Sequence, residues 1–272
     1  MQTTVSGEKR TKRRSFLKGV VATFLLGVPG IAAVGLSSIE TLRQLPELAD
    51  LPAVTLFFVA ISQPLVLLAV ACLVGTTLAP RVGLQSRLLA RLTGRIQPPS
   101  LFAEEAPIGI GVGVAASFLV LALDFAFAPF LPAELSAYTV LNTNSGSIFG
   151  VLASIPVRFL YGGITEELLL RYGFMTFVVW GLWTVSGGER PTDRLMWSAI
   201  LASALVFGLG HLPAMSIDVP LTPIVVVRTV LLNGIAGVGF GWLYWRQSLE
   251  TAMVGHASFH VVLVIVSLLF VL

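Results

Sequence analysis

Apolar residues gather in seven long blocks, approximately 16–36, 54–78, 107–131, 148–182, 195–212, 221–245 and 249–272, with short polar links between them. A bilayer crossing takes about 20 mostly apolar residues, so each block predicts a transmembrane helix. The fold class expected is all-α, a polytopic transmembrane helical bundle of about seven membrane helices with room for an eighth. The links are too short for a separate soluble domain.

Composition removes the main competitor to this reading. Over 272 residues, 56% are hydrophobic and only 11% charged, with a mean hydropathy of +0.90, which no ordinary soluble domain shows. The protein is expected to work in or at the cell membrane, with the lipid bilayer as a partner. The formal charge of +3 is unevenly placed. Lys9, Arg10, Lys12, Arg13 and Arg14 precede the first block, and Arg81, Arg87, Arg91 and Arg95 follow the second. Cytoplasmic loops carry the excess of Lys and Arg, which puts the N-terminus inside and, after seven crossings, the C-terminus outside. The loops around Glu134 and Asp218 are poor in Lys and Arg, as outside loops should be. The start, "KRRSFLKGVVATFLLGV", resembles a twin-arginine export signal, but a basic flank on a retained first helix explains the same charges.

The expected organisation is a cytoplasmic basic N-terminus at 1–15, N-terminal transmembrane helices at 16–106 with a basic amphipathic linker at 81–97, and a core at 107–272. In the linker, Leu84, Leu88, Leu92 and Ile96 recur beside Arg87, Arg91 and Arg95. That pattern fits a helix on the inner leaflet or a solvated connector. Basic residues confined to membrane edges give no footprint for nucleic acid. Cys72 is the single cysteine, inside an apolar block, so it reads as packing. Gly109 with Gly113 and Gly237 with Gly241 are spaced for close helix approach. Asp124, Arg158 and Arg228 lie within or near apolar blocks and must face protein or water.

The chemistry begins at "ITEELLLRYGF", Ile164 to Phe174, where two glutamates and an arginine interrupt an apolar block. On a helix Glu167 and Arg171 share a face and can pair. Glu166 points about 100° away, free for another task. A carboxylate so placed is suited to taking and returning a proton, which is a general base's work. The competing reading is that all three charges only lock helices together. Three histidines shift the balance. His211, His256 and His260 are the only ones in the chain, and all lie in or beside apolar blocks downstream of the glutamates. His256 and His260 are four apart and share a helix face. One site assembled from three helices accounts for the set.

These residues carry a resemblance. "EELLLR" from Glu166 to Arg171, "FGLGH" from Phe207 to His211 and "HASFH" from His256 to His260 stand in the order of the motifs of the CPBP intramembrane proteases, also called the Abi or CAAX type II prenyl-endopeptidase family. The resemblance covers roughly Gly150 to Leu272 and marks 107–272 as a CPBP-like intramembrane protease core. Its last position holds His260 where the family's pattern has Asn or a similar residue. It implies a glutamate-dependent membrane peptidase acting on a membrane-associated peptide or a lipidated protein tail. Glu166 with His211 would activate water, His256 and His260 would stabilise the oxyanion, and Glu167 with Arg171 would hold Glu166 in place.

Other readings use the same residues. Glu166, His211, His256 and His260 could hold zinc with an open position for water, although Ala257 stands where a zincin His-Glu-x-x-His motif needs glutamate. The expected chemistry needs no cofactor, and zinc is the alternative. A transporter would also place ionisable groups at a bundle midplane, and a non-catalytic binding or immunity protein could keep the motifs. In a simple seven-span topology the depths of Glu166, His211 and His256 do not converge. Pro156, Gly162 and Gly163 supply kinks that could correct this.

Overall fold

A computed structural model describes residues 2–94, 99–131 and 147–271. Among them the chain is helical throughout, with no strand. The helices are α1 (Gln2–Ser37), α2 (Ile39–Arg43), α3 (Ala53–Leu78), α4 (Arg87–Leu92), α5 (Pro99–Phe127), α6 (Ile148–Pro156), α7 (Thr176–Ser186), α8 (Asp193–Gly210), α9 (Leu212–Asp218), α10 (Pro223–Arg246) and α11 (Leu249–Val271). A π-helical segment, Val157–Met175, joins α6 to α7 without a break. Seven helical stretches are long and apolar enough to cross a membrane: Arg14–Arg43, Ala53–Arg81, Phe102–Phe130, Ile148–Ser186, Asp193–Ile217, Pro223–Arg246 and Leu249–Val271. The protein is a multi-pass helical membrane protein. Large side chains such as Phe125, Phe149 and Val185 point outward, as a lipid-facing surface requires.

The π segment is the unusual element. Such geometry is rare and mostly confined to single turns, often at functional sites. Here it runs for 19 residues and carries both glutamates. Hydroxyls help to support it: Thr165 Oγ1 donates to the Leu160 carbonyl at 3.1 Å, and Thr176 Oγ1 donates to the Arg171 carbonyl at 3.2 Å. Thr165 Oγ1 also donates to the Gly27 carbonyl of α1 at 2.8 Å, which ties the segment to the first helix. Together α6, the π segment and α7 form the 39-residue stretch Ile148–Ser186, longer than one crossing needs.

Neighbours pack through small residues. The π segment lies against α1, α3 and α11, while α5 packs on α11 and α8 on α10. A methyl group on Gly113 would run into the Gly255 carbonyl of α11, and one on Gly237 would meet Ala204 of α8 at 3.1 Å. Both glycine pairs named from the sequence thus sit at helix contacts, where close backbone approach supplies the dispersion energy that a lipid-exposed bundle depends on.

The intramembrane charges find partners as well. Arg228 of α10 donates through Nε to Asp124 Oδ1 of α5 at 2.7 Å, and both are buried. At one end of the bundle, Glu250 of α11 accepts from Ser86 Oγ at 2.8 Å and from the backbone N–H groups of Arg87 and Leu88 at 2.7 and 2.9 Å. Glu105 of α5 pairs with Arg87 and accepts from Ser248 and Thr251, each at 3.0 Å. Hydrogen bonds and the buried Leu84 and Leu89 therefore tie α4 and the residues before it to the bundle. Arg95 and Ile96 of the linker and Glu134 lie outside the described residues.

Candidate active site

Three elements converge on one cavity of about 150 Å³. The π segment brings Glu166, α8 ends at its cap His211, and α11 brings His256 and His260. The depths that a straight-helix topology keeps apart meet here.

Glu166 faces two imidazoles. Its Oε1 lies 4.0 Å from His211 Nε2, and its Oε2 lies 3.9 Å from His256 Nε2. Both separations exceed hydrogen-bond reach, and a single water with legs of about 2.8 Å fits between such groups. The Glu166 side chain keeps 15% of its surface accessible, whereas that of Glu167 keeps none. The adjacent acids are thus in different worlds, one opening to the cavity and one sealed behind it.

The histidine orientations follow from their other nitrogens. His211 Nδ1 lies 2.7 Å from the Phe207 carbonyl, which can only accept, so Nδ1 carries the hydrogen and Nε2 turns to Glu166. His256 Nδ1 lies 2.8 Å from Glu167 Oε1 and donates to that carboxylate in the same way. Rings hold these planes. Phe207 meets His211 edge-on at 4.8 Å, and Phe240 stacks on His256 at 4.4 Å. His260 stacks on the other ring of its pair, His256, at 4.9 Å. Gly162 leaves the room that His260 needs, since a methyl there would come within 2.6 Å of His260 Nε2.

Arg171 sits behind this layer with no surface exposed. Its Nη1 pairs with Glu167 Oε1 at 3.2 Å, its Nη2 donates to the Gly237 carbonyl at 3.0 Å, and its guanidinium lies 4.7 Å from the Phe207 ring centre and 5.4 Å from that of Phe240. The expectation that Glu167 and Arg171 hold Glu166 needs adjustment. Their direct contacts run to His256, Gly237 and the two phenylalanines, because Glu167 points to the protein interior while Glu166 points to the cavity.

The cavity has further members beside the candidate residues. Tyr161, Asn233 and Arg158 line it, as does Ala236, while Arg228 is drawn away to Asp124. Asn233, Ala236 and Phe240 recur at helical spacing on α10, a signal masked because that face is mostly apolar. Among the described residues, no three His, Cys, Asp or Glu side chains converge as a metal-holding group.

What the fold and cavity define is a polytopic membrane protein with a carboxylate and imidazole chamber inside its helical bundle. Residues 148–262 match the family model described as type II CAAX prenyl endopeptidase, Rce1-like. Over that stretch the chain is similar to the CAAX type II, or CPBP, protease family, a family of membrane endopeptidases. All six candidate residues, from Glu166 to His260, lie inside the match. No curated protein and no solved structure matches the chain.

Proposed function

We propose that the protein is a glutamate-dependent intramembrane endopeptidase that cleaves a peptide or lipidated protein tail reaching the bilayer. The observation that carries this reading is Glu166, held beside two correctly turned imidazole Nε2 atoms across gaps of 4.0 and 3.9 Å in a cavity of about 150 Å³.

In the proposed reaction Glu166, assisted by His211, takes a proton from water as the water oxygen bonds to the scissile carbonyl carbon. The carbonyl π electrons move to oxygen, and His256 and His260 stabilise the resulting oxyanion. His256 would serve that role through a proton on Nε2, with its Nδ1 turned to the Glu167 carboxylate. Collapse of the intermediate breaks the C–N bond, and the protonated Glu166 returns its proton to the leaving amine. Arg171 pairs with Glu167 and holds it in place. This chemistry runs on the chain's own side chains, without a metal. The family's name carries prenylated CAAX substrates, and for this chain the proposed substrate class is the broader one of membrane-associated tails. The basic flank at Arg13 and Arg14 supports a cytoplasmic N-terminus.

The test compares new peptide termini in membranes containing the wild type with those containing equally abundant, folded Glu166→Gln. Cleavages confined to the wild type are expected. Unimpaired cleavage by the variant overturns the role of Glu166, and stoichiometric zinc whose removal and return abolish and restore cleavage overturns the metal-free mechanism.

A further inference from the structure

The two ends of the bundle differ in charge. Contacts between helices fix which termini share an end. A methyl group on Gly19, early in the first span, would meet Leu89 of α4 and Thr76 near the end of α3, and Glu250 at the start of α11 holds the start of α4. Tyr172 donates to Thr76 and Thr176 meets Tyr244 of α10, each at 3.0 Å, while Trp197 at the start of α8 lies 5.8 Å from Trp245 at the end of α10. Of the 17 lysines and arginines, Arg158, Arg171 and Arg228 lie within the spans and Arg43 alone falls in a link at the opposite end; all the others flank the first end. That imbalance marks the first end as cytoplasmic and the other as extracytoplasmic.

The chamber is closed toward the basic end. Arg171, Tyr172, Met175, Phe240, Leu243 and Tyr244 follow the chamber in that direction, and each is 0% exposed. A layer packed to that degree leaves no passage for a peptide. Toward the other end accessibility rises: the side chain of His256 is 3% exposed, that of Glu166 15% and that of His211, which caps the far end of α8, 34%. The walls run the same way, from Glu166 back to Val157 at the start of the π segment.

We propose that the chamber opens to the extracytoplasmic face and that its substrates are polypeptide segments presented there, the translocated flank or tail of an exported or membrane-anchored protein, entering past His211 to reach Glu166. The substrate class rests on the peptidase reading, whereas the side of opening does not.

Single cysteines in a Cys72→Ser background test it: Val157→Cys in the chamber wall, Glu47→Cys in the link between α2 and α3, and Glu189→Cys in the link between α7 and α8. Right-side-out and inverted vesicles from cells producing the full chain are treated with a membrane-impermeant maleimide. Glu189→Cys should label only in inverted vesicles, and Glu47→Cys and Val157→Cys only in right-side-out ones. Labelling of Val157→Cys in inverted vesicles only, or in neither kind, overturns the opening, and labelling of Glu47→Cys from the cytoplasmic face overturns the assignment of sides. If Val157→Cys does not fold, Asn233→Cys reports from the α10 wall by the same criteria. New peptide termini confined to cytoplasmic segments would sink this proposal alone, and the expected labelling without any cleavage would sink the peptidase reading alone.

Discussion

Two buried polar clusters in this bundle contain similar groups and satisfy them differently. Around α4, Glu250 accepts three hydrogen bonds of 2.7 to 2.9 Å, and Glu105 is met by Arg87, Ser248 and Thr251. Around the cavity, Glu166 sees its imidazoles only at 4.0 and 3.9 Å. Behind it Glu167 Oε2, Arg171 Nε and His260 Nδ1 are buried with no hydrogen-bond partner among the described residues. Arg171 Nη1 also lacks one: its 3.2 Å contact with Glu167 satisfies the distance of an ion pair but not the geometry of a hydrogen bond. Buried polar groups are normally satisfied, and exceptions concentrate where chemistry needs them. The first cluster holds helices together. The second leaves bonding capacity open, which in the proposed mechanism would serve water and substrate, while the rings of Phe207 and Phe240 pack against Arg171.

Substitutions can break or sharpen that contrast. Glu166→Gln should carry the largest effect, a loss of about 10²- to 10⁴-fold in cleavage rate, the usual worth of a general base, with little change in thermal unfolding in detergent. Comparable instability would place Glu166 with the structural cluster instead. Glu167→Gln should act on both axes. It strands buried Arg171 at a cost of about 3–5 kcal/mol and slows cleavage by releasing His256, so a rate fall without destabilisation would contradict the packing of this pair. Asp124→Asn breaks a buried ion pair away from the cavity, and a stability loss of about 3–5 kcal/mol should leave kcat of the folded fraction unchanged. A change in kcat would show that this pair is coupled to the chamber. Glu250→Gln keeps part of its accepting capacity and should cost only about 1–2 kcal/mol, read as a lower unfolding temperature with unaltered cleavage.

Much of this was legible in the chain. The seven blocks of apolar residues correspond to the seven candidate spans because a bilayer demands a fixed length of apolar helix, and length and hydropathy are local properties. The paired glutamates and three histidines stood out because charge is scarce in such segments. Arg158 stood out as a charge in an apolar stretch, but nothing local distinguishes a residue that lines a chamber from one that pairs with a neighbour. Asp124 and Arg228 look equally suggestive in the sequence, and only their contact across α5 and α10 shows them to be a structural pair.

The sequence by itself determined the class, the spans and the residues able to do chemistry, because composition, periodicity and motif spacing are properties of the chain alone. The tertiary structure decided which carboxylate opens to the cavity. Adjacent in sequence, Glu166 and Glu167 differ because the π segment turns one toward His211 and His256 Nε2 and the other toward Arg171 and His256 Nδ1. Those partners come from α8 and α11, and only packing can bring residues so distant in the chain to opposite sides of one side-chain pair.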